Sequence, residues 1–319
     1  YLMKWQIARL YLQIRKRELQ LAIDSDNVNR YDSLYTVIRA ITQSGIKAGA
    51  DSALARAELS SARTSYNNTF GQIRQLYEEL GYYTGIDPDK VAIDTSRIGQ
   101  NWADRQSAGT GMLLAGAMDT GTAPNPLTDF YAKQQTFYEQ TENLVKKSYL
   151  PRIMLTGVAW SRGSSISYQG KYGAVPDGWG YQRFNYQAGL TVTYNLFNPI
   201  HRRDKEEIAR NESLSSQYEL QQQQLELRNV GNKAEQSILT DVRNLREIPI
   251  QIGSAQAAFD QKTAQYRAGI INLVDLTNAS YVLYRAQSDY VQAISDWLLA
   301  NLDKAAAGGS LPLFIQSIQ

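Results

Sequence analysis

The chain has 319 residues, 33 basic against 31 acidic side chains, one histidine and no cysteine, and 43% of its residues are hydrophobic. Two ordinary domains fit in that length, but a net charge of +2 offers no polyanion-binding surface, and the lack of cysteine excludes disulfides, thiolate metal sites and a cysteine nucleophile. No run of roughly 18 apolar residues exists to make a membrane-spanning helix, a test that leaves β-type membrane segments open, and the excess of tyrosine suits interfaces and membrane-boundary belts.

Residues 1–84 read as an antiparallel helical hairpin. From Tyr1 to about Ser44 there is no proline or glycine, and Leu10, Ile14, Leu21, Leu34 and Ile38 recur among charges. That rhythm predicts a helix of about 44 residues, roughly 65 Å long. A turn around Gly45 and Gly49 ends it. The next helix, to about Tyr83, carries two seven-residue rows, Ala55/Ala62/Thr69/Leu76 and Leu59/Tyr66/Ile73/Leu80. Over residues 85–126 the rhythm dissolves into glycine, proline, aspartate and threonine, which reads as a connector with a short helix at about 101–118. A further helix occupies residues 127–150 and stops before Pro151.

Residues 151–199 change period. Tyr186, Ala188, Leu190, Val192, Tyr194 and Leu196 alternate with Gln187, Gly189, Thr191, Thr193 and Asn195. One face is apolar with a tyrosine near each end and the other is small and polar, the pattern and length of a tilted transmembrane strand. Arg152 to Arg162 is a plausible partner with Trp160 as its belt residue, which leaves about 162–184 as a loop on the far side of the membrane. A soluble amphipathic hairpin is the alternative.

Residues 200–308 read as a second helical hairpin. Its first helix runs from about His201 to Ala268, some 100 Å at full helicity, with a kink or break predicted at Pro249, near Glu247. The second carries the row Ala279/Leu283/Ala286/Tyr290/Ala293/Trp297/Ala300, and the tail 309–319 has no readable pattern. The tip between them repeats the first one: GIKAGADSALARAELSSARTSY from Gly45 and GIINLVDLTNASYVLYRAQSDY from Gly269 share Gly, Ile, Asp, Ala, Leu, Ala and Tyr, 224 residues apart. Such long hairpins extend away from any globular body, and a lone β-hairpin leaves unpaired backbone edges in hydrocarbon. The reading therefore requires a symmetric oligomer in which every protomer gives strands to one barrel and helices to one coaxial tube.

With its twin GxxxxxDxxxAxxxLxxA tips, SYLPRIMLTG, GLTVTYNLFNP and the closing helix to AAAGG, the chain resembles the TolC-like outer membrane efflux and secretion channels of Gram-negative bacteria. The resemblance implies a mainly α fold with a transmembrane β-hairpin, in which long antiparallel helical hairpins form a trimeric α-barrel continued into a shared outer-membrane β-barrel. Each protomer of the family gives four strands, two per repeat. Shifting Arg202 back by the repeat offset lands before residue 1, so the first strand pair has no counterpart here. Either the sequence is an N-terminally trimmed form, lacking also any lipid-anchor cysteine, or the barrel is unusual; trimming is the preferred reading.

The resemblance also implies a passive exit duct of the outer membrane, with most of the chain in the periplasm. Its partners would be a homotrimer, a periplasmic adaptor (membrane fusion) protein, an inner-membrane transporter that supplies the energy, and outer membrane lipid, with no cofactor and no nucleic acid. The tip turns at Gly45 and Gly269 would form the periplasmic aperture, ringed by Asp275. A threefold ring of carboxylates concentrates negative charge and favours cations. The family's second acidic position is Asn278 here, which makes a double acidic ring doubtful. Tyr266 matches a tyrosine that bonds the first tip's aspartate, Asp51, in the closed state; the family's basic partner position is Ile271, for which Arg267 is a substitute. Alternatively, both aspartates simply cap helix N-termini.

Two other classes compete. An enzyme has little to stand on: His201 is the only histidine, Glu78/Glu79 and Glu206/Glu207 read as solvated helix faces, and GTGMLLAG lacks the lysine and strand of a phosphate loop. A soluble coiled-coil scaffold or periplasmic adaptor explains the heptads but not the alternation over residues 186–196.

Overall fold

The computed structural model describes residues 1–43, 49–91, 125–180, 182–195 and 197–318. It divides into a helical unit, Tyr1–Asp129 with Gln222–Gln319, and a second unit, Phe130–Gln221.

In the helical unit α1 (Leu2–Gln43) and α2 (Gly49–Thr84) form the first hairpin, followed by a 3-10 turn at Pro88–Lys90. Leu10 and Ile14 of α1 pack on Leu80 of α2, and Tyr31 packs on Leu59 and Ala62. Both rows read from the sequence thus face α1. The predicted turn at Gly45 and the connector helix at 101–118 lie outside the described residues. The second hairpin joins the later part of α4 (Asn198–Arg267) to α5 (Leu273–Ala307). Its seam sets Ile238, Leu245 and Ile248 against Ala293, Ile294 and Trp297, then Ala255 against Leu283 and Ala286. The starts of α2 and α5 stand in the register of the sequence repeat.

Two points go beyond the sequence reading. Of the kink or break expected at Pro249, the break is absent: helix α4 is continuous there. The proline ring crowds the carbonyl of Leu245 and removes one backbone donor, but Leu245 and Ile248 before the proline and Ile252 after it pack against α5 and hold the helix on both sides of the defect. The tail, which has no pattern on inspection, forms α6 (Leu311–Ile318). Pro312 sits in its first turn, where a missing N–H costs nothing, and Leu311 and Phe314 are buried against Leu12, Leu302 and Ala305.

In the second unit α3 (Pro126–Ser148) precedes β1 (Arg152–Arg162), a 3-10 turn at Val175–Trp179 and β2 (Arg183–Thr193). The strands pair antiparallel from Arg152↔Thr193 to Arg162↔Arg183. Period-two geometry then puts Ile153, Leu155, Gly157 and Ala159 on one face with Val192, Leu190, Ala188 and Tyr186. These eight residues form an apolar, open surface, with Leu155 and Tyr186 each 80% exposed, and Ser161 and Phe184 continue the face at its end. Glu206 and Glu207 each take an arginine one turn back, Arg202 at 2.8 Å and Arg203 at 3.3 Å.

Candidate functional site

Of the residues assigned to a gate, Tyr266 lies in a buried cluster where four helix ends of the helical unit converge. Ile38 of α1, Ala55 of α2, Tyr266 of α4, and Leu273 and Leu276 of α5 form one buried cluster. Helix α4 ends in a left-handed cap: Gly269 has φ +74°, its N–H donates to the Tyr266 carbonyl at 3.0 Å, and the Ile270 N–H donates to the Gln265 carbonyl at 2.9 Å. This pair of bonds is the Schellman motif, and its positive φ is the reason for glycine there.

Three residues later Asn272 caps α5, its Oδ1 accepting the Asp275 N–H at 2.8 Å. The cap is therefore Asn272, and the Asp275 carboxylate is left exposed in the first turn, where the helix dipole favours an anion. Asn278 is exposed further along the same helix. Asp51 lies half-buried in the first turn of α2, and Arg267 is exposed as the last residue of α4, where the dipole favours a cation. The Tyr266 ring is only 3% exposed, in the apolar cluster. Gly45 falls outside the described residues, as does the side chain of His201.

A polar cluster that sequence reasoning missed lies farther along the same helices. Asp24 of α1 is 1% exposed and accepts from Thr69 Oγ1 at 2.6 Å, Tyr284 OH at 2.9 Å and Gln20 Nε2 at 3.0 Å. Gln20 Nε2 also donates to Ser288 Oγ at 3.1 Å, and Arg30 reaches Gln287 Oε1 at 3.3 Å. Burial, reinforced by the Asp24 carboxylate, pushes the Tyr284 phenol up to about 12. A signal existed: Asp24 stands in the seven-residue row of Tyr31 and Ile38, so a carboxylate occupies a seam position. Asn272 was likewise legible as the start of an Asn-x-x-Asp helix-entry pattern.

On the hairpin Tyr186 lies on the apolar face of β2, and Tyr194 follows the strand's last residue. The third belt residue, Trp160, lies on the other face. Trp160 pairs with Asn185 and shares its face with Thr156, Gln187 and Thr191, opposite Tyr186. A single belt facing one way cannot hold both rings. Among the described residues, no group of three His, Asp or Glu is placed to hold a metal, and no helix is long and apolar enough to cross a membrane.

Residues 133–309 match the family model described as outer membrane efflux protein. No curated protein matches the chain by sequence. Among solved structures it is similar to the outer-membrane channel OprN, with a TM-score of 0.73 and 14% identity over 96% of this chain and 65% of that one. The outer membrane protein VceC from Vibrio cholerae gives 0.73 and 12% over 97% and 70%. The Campylobacter jejuni CmeC outer membrane channel gives 0.71 and 13% over 96% and 62%. The fold is thus shared, and the chain spans between 62% and 70% of the length of these three structures.

Proposed function

The chain belongs to the outer membrane efflux protein family, and from that premise we propose that it is a subunit of a trimeric exit duct that carries efflux or secretion cargo across the periplasm and outer membrane of a Gram-negative bacterium. The observation that carries this reading is the hairpin of two eleven-residue strands. On β2 the division is clean, with Phe184, Tyr186, Ala188, Leu190 and Val192 on one face and Asn185, Gln187, Thr191 and Thr193 on the other, so lipid suits one side and water the other, while β1 adds Met154, Val158 and Trp160 to the second face. Two strands leave edges unpaired, and identical copies are the partners that close a barrel.

In this duct Tyr186 and Tyr194 sit in the lipid-boundary belt, and Trp160 faces the lumen. The long helices lie in the periplasm with the tip turns at Gly45 and Gly269 around the entrance. Asp275 lines that aperture with Asn278 beside it, while Asp51, Tyr266 and Arg267 hold the closed state. The exposure of Asp275, with helix capping left to Asn272, supports the aperture role. Flow is passive, driven by an inner-membrane transporter through a periplasmic adaptor docked on the tips.

The test is the behaviour of the complete protein. It should fractionate with outer membrane, require detergent and run as a trimer; a detergent-free soluble monomer would return the assignment to a coiled-coil scaffold. Replacing Asp275 with alanine should change single-channel conductance or its block by divalent cations. If both stay at the wild-type values, the aperture role is wrong.

A further inference from the structure

Asp24 is the one buried carboxylate among the described residues, and nothing in the gate assignment uses it. A carboxylate removed from water is destabilising unless hydrogen bonds replace its hydration, and here all three donors, Thr69, Tyr284 and Gln20, are neutral groups on α2, α5 and α1. An apolar side chain at this seam position would give a more stable core. A buried polar group in a heptad seam fixes register at that expense.

The neighbouring contacts fix it far less. Above and below Asp24, α5 is tied to α1 by Arg30 to Gln287 at 3.3 Å and Trp5 to Asp303 at 3.0 Å, both only part-buried, and the rest of the seams are leucine, isoleucine, tyrosine and alanine, surfaces that tolerate a shift along the helix axis. Hydrogen bonds of 2.6 and 2.9 Å are lost by a displacement of about 1 Å. Along α1, Asp24 stands fourteen residues from Ile38 of the tip cluster, and Thr69 stands fourteen from Ala55, each about 21 Å of helix.

We propose that Asp24 is a positioning residue for the gate: with Thr69 and Tyr284 it pins α5 to the α1–α2 hairpin at one height, so that the tip segments beyond it are the part that moves. This rests on the duct reading above. Loss of the anchor lets α5 slide and lowers the threshold for opening.

The experiment is single-channel recording of the complete protein in planar bilayers, comparing wild type with Asp24→Asn, the milder Tyr284→Phe and, as a control in the apolar seam, Ile294→Val. The first two should raise the open-to-closed ratio by about tenfold, the scale of one lost hydrogen bond to a charged group. The control should lower thermal stability and leave the ratio unchanged. An unchanged ratio in both anchor variants, or an equal rise in the control, overturns the proposal. Inserted wild-type protein that passes no current overturns the duct reading itself, a failure recognised without any variant.

Discussion

The two units use apolar residues in opposite ways. In the helical unit leucine, isoleucine and alanine rows close on each other, and among the described residues every cluster of buried side chains belongs to it. In residues 130–221 only Ala209 and Ser216 are buried among the described residues, while Phe130, Phe137 and Leu144 line one row of α3 in the open and both faces of the sheet are bare. One unit carries its own core. The other leaves its apolar surface uncovered, and an exposed apolar area of that extent marks an interaction surface.

That contrast is open to attack at both ends. Trp297 is 3% exposed at the centre of the α4–α5 seam, so Trp297→Ala should cost about 3–5 kcal/mol. The loss should be visible as a lower denaturation midpoint of the helical signal whether or not the protein has assembled. A smaller effect comes from the sheet and depends on assembly. Leu190→Arg places a charge on the apolar face and Thr191→Arg places it one residue away on the polar face. The first should cost about 2–4 kcal/mol per copy in the membrane, and the second little. Trimer yield in outer membranes should fall for the first only; equal yields would show that the two faces do not meet different solvents.

Much of the fold is legible because the long elements obey one period each. The rows beginning at Ala55, Leu59 and Ala279 predict helices that bury those rows, and the alternation from Tyr186 predicts β2. What escapes reading depends on pairing. Arg152 to Arg162 does not alternate cleanly, so the face of Trp160 is decided only by its partner Asn185. Pro249 breaks an isolated helix but not one clamped at Leu245, Ile248 and Ile252. Helix α6 is too short for periodicity to declare it, and it exists because Leu311 and Phe314 find Leu12 and Leu302. The Gly269 turn is legible through the repeat, whereas Asp24 can be read only as a carboxylate at a seam position, and its partners Thr69 and Tyr284 are brought to it by the fold.

The weakest of these effects falls on that pair and follows pH. A Tyr284 phenol held up to about 12 in the folded protein, against an ordinary 10, favours the protonated form on folding. Its contribution is therefore complete below about pH 10 and is lost as pH rises towards 12. The chemistry agrees with the sign: a phenolate cannot donate to Asp24 and sets a second negative charge beside a buried carboxylate. Tyr284→Phe removes both the donor and the titration, so the variant should be less stable than the parent at neutral pH, with the gap narrowing through that alkaline window. Ultraviolet difference spectra should assign the missing late tyrosinate step to the same substitution. A gap that stays constant with pH would mean that the ring contributes by packing alone, and that the polar anchor behaves like the apolar seams around it.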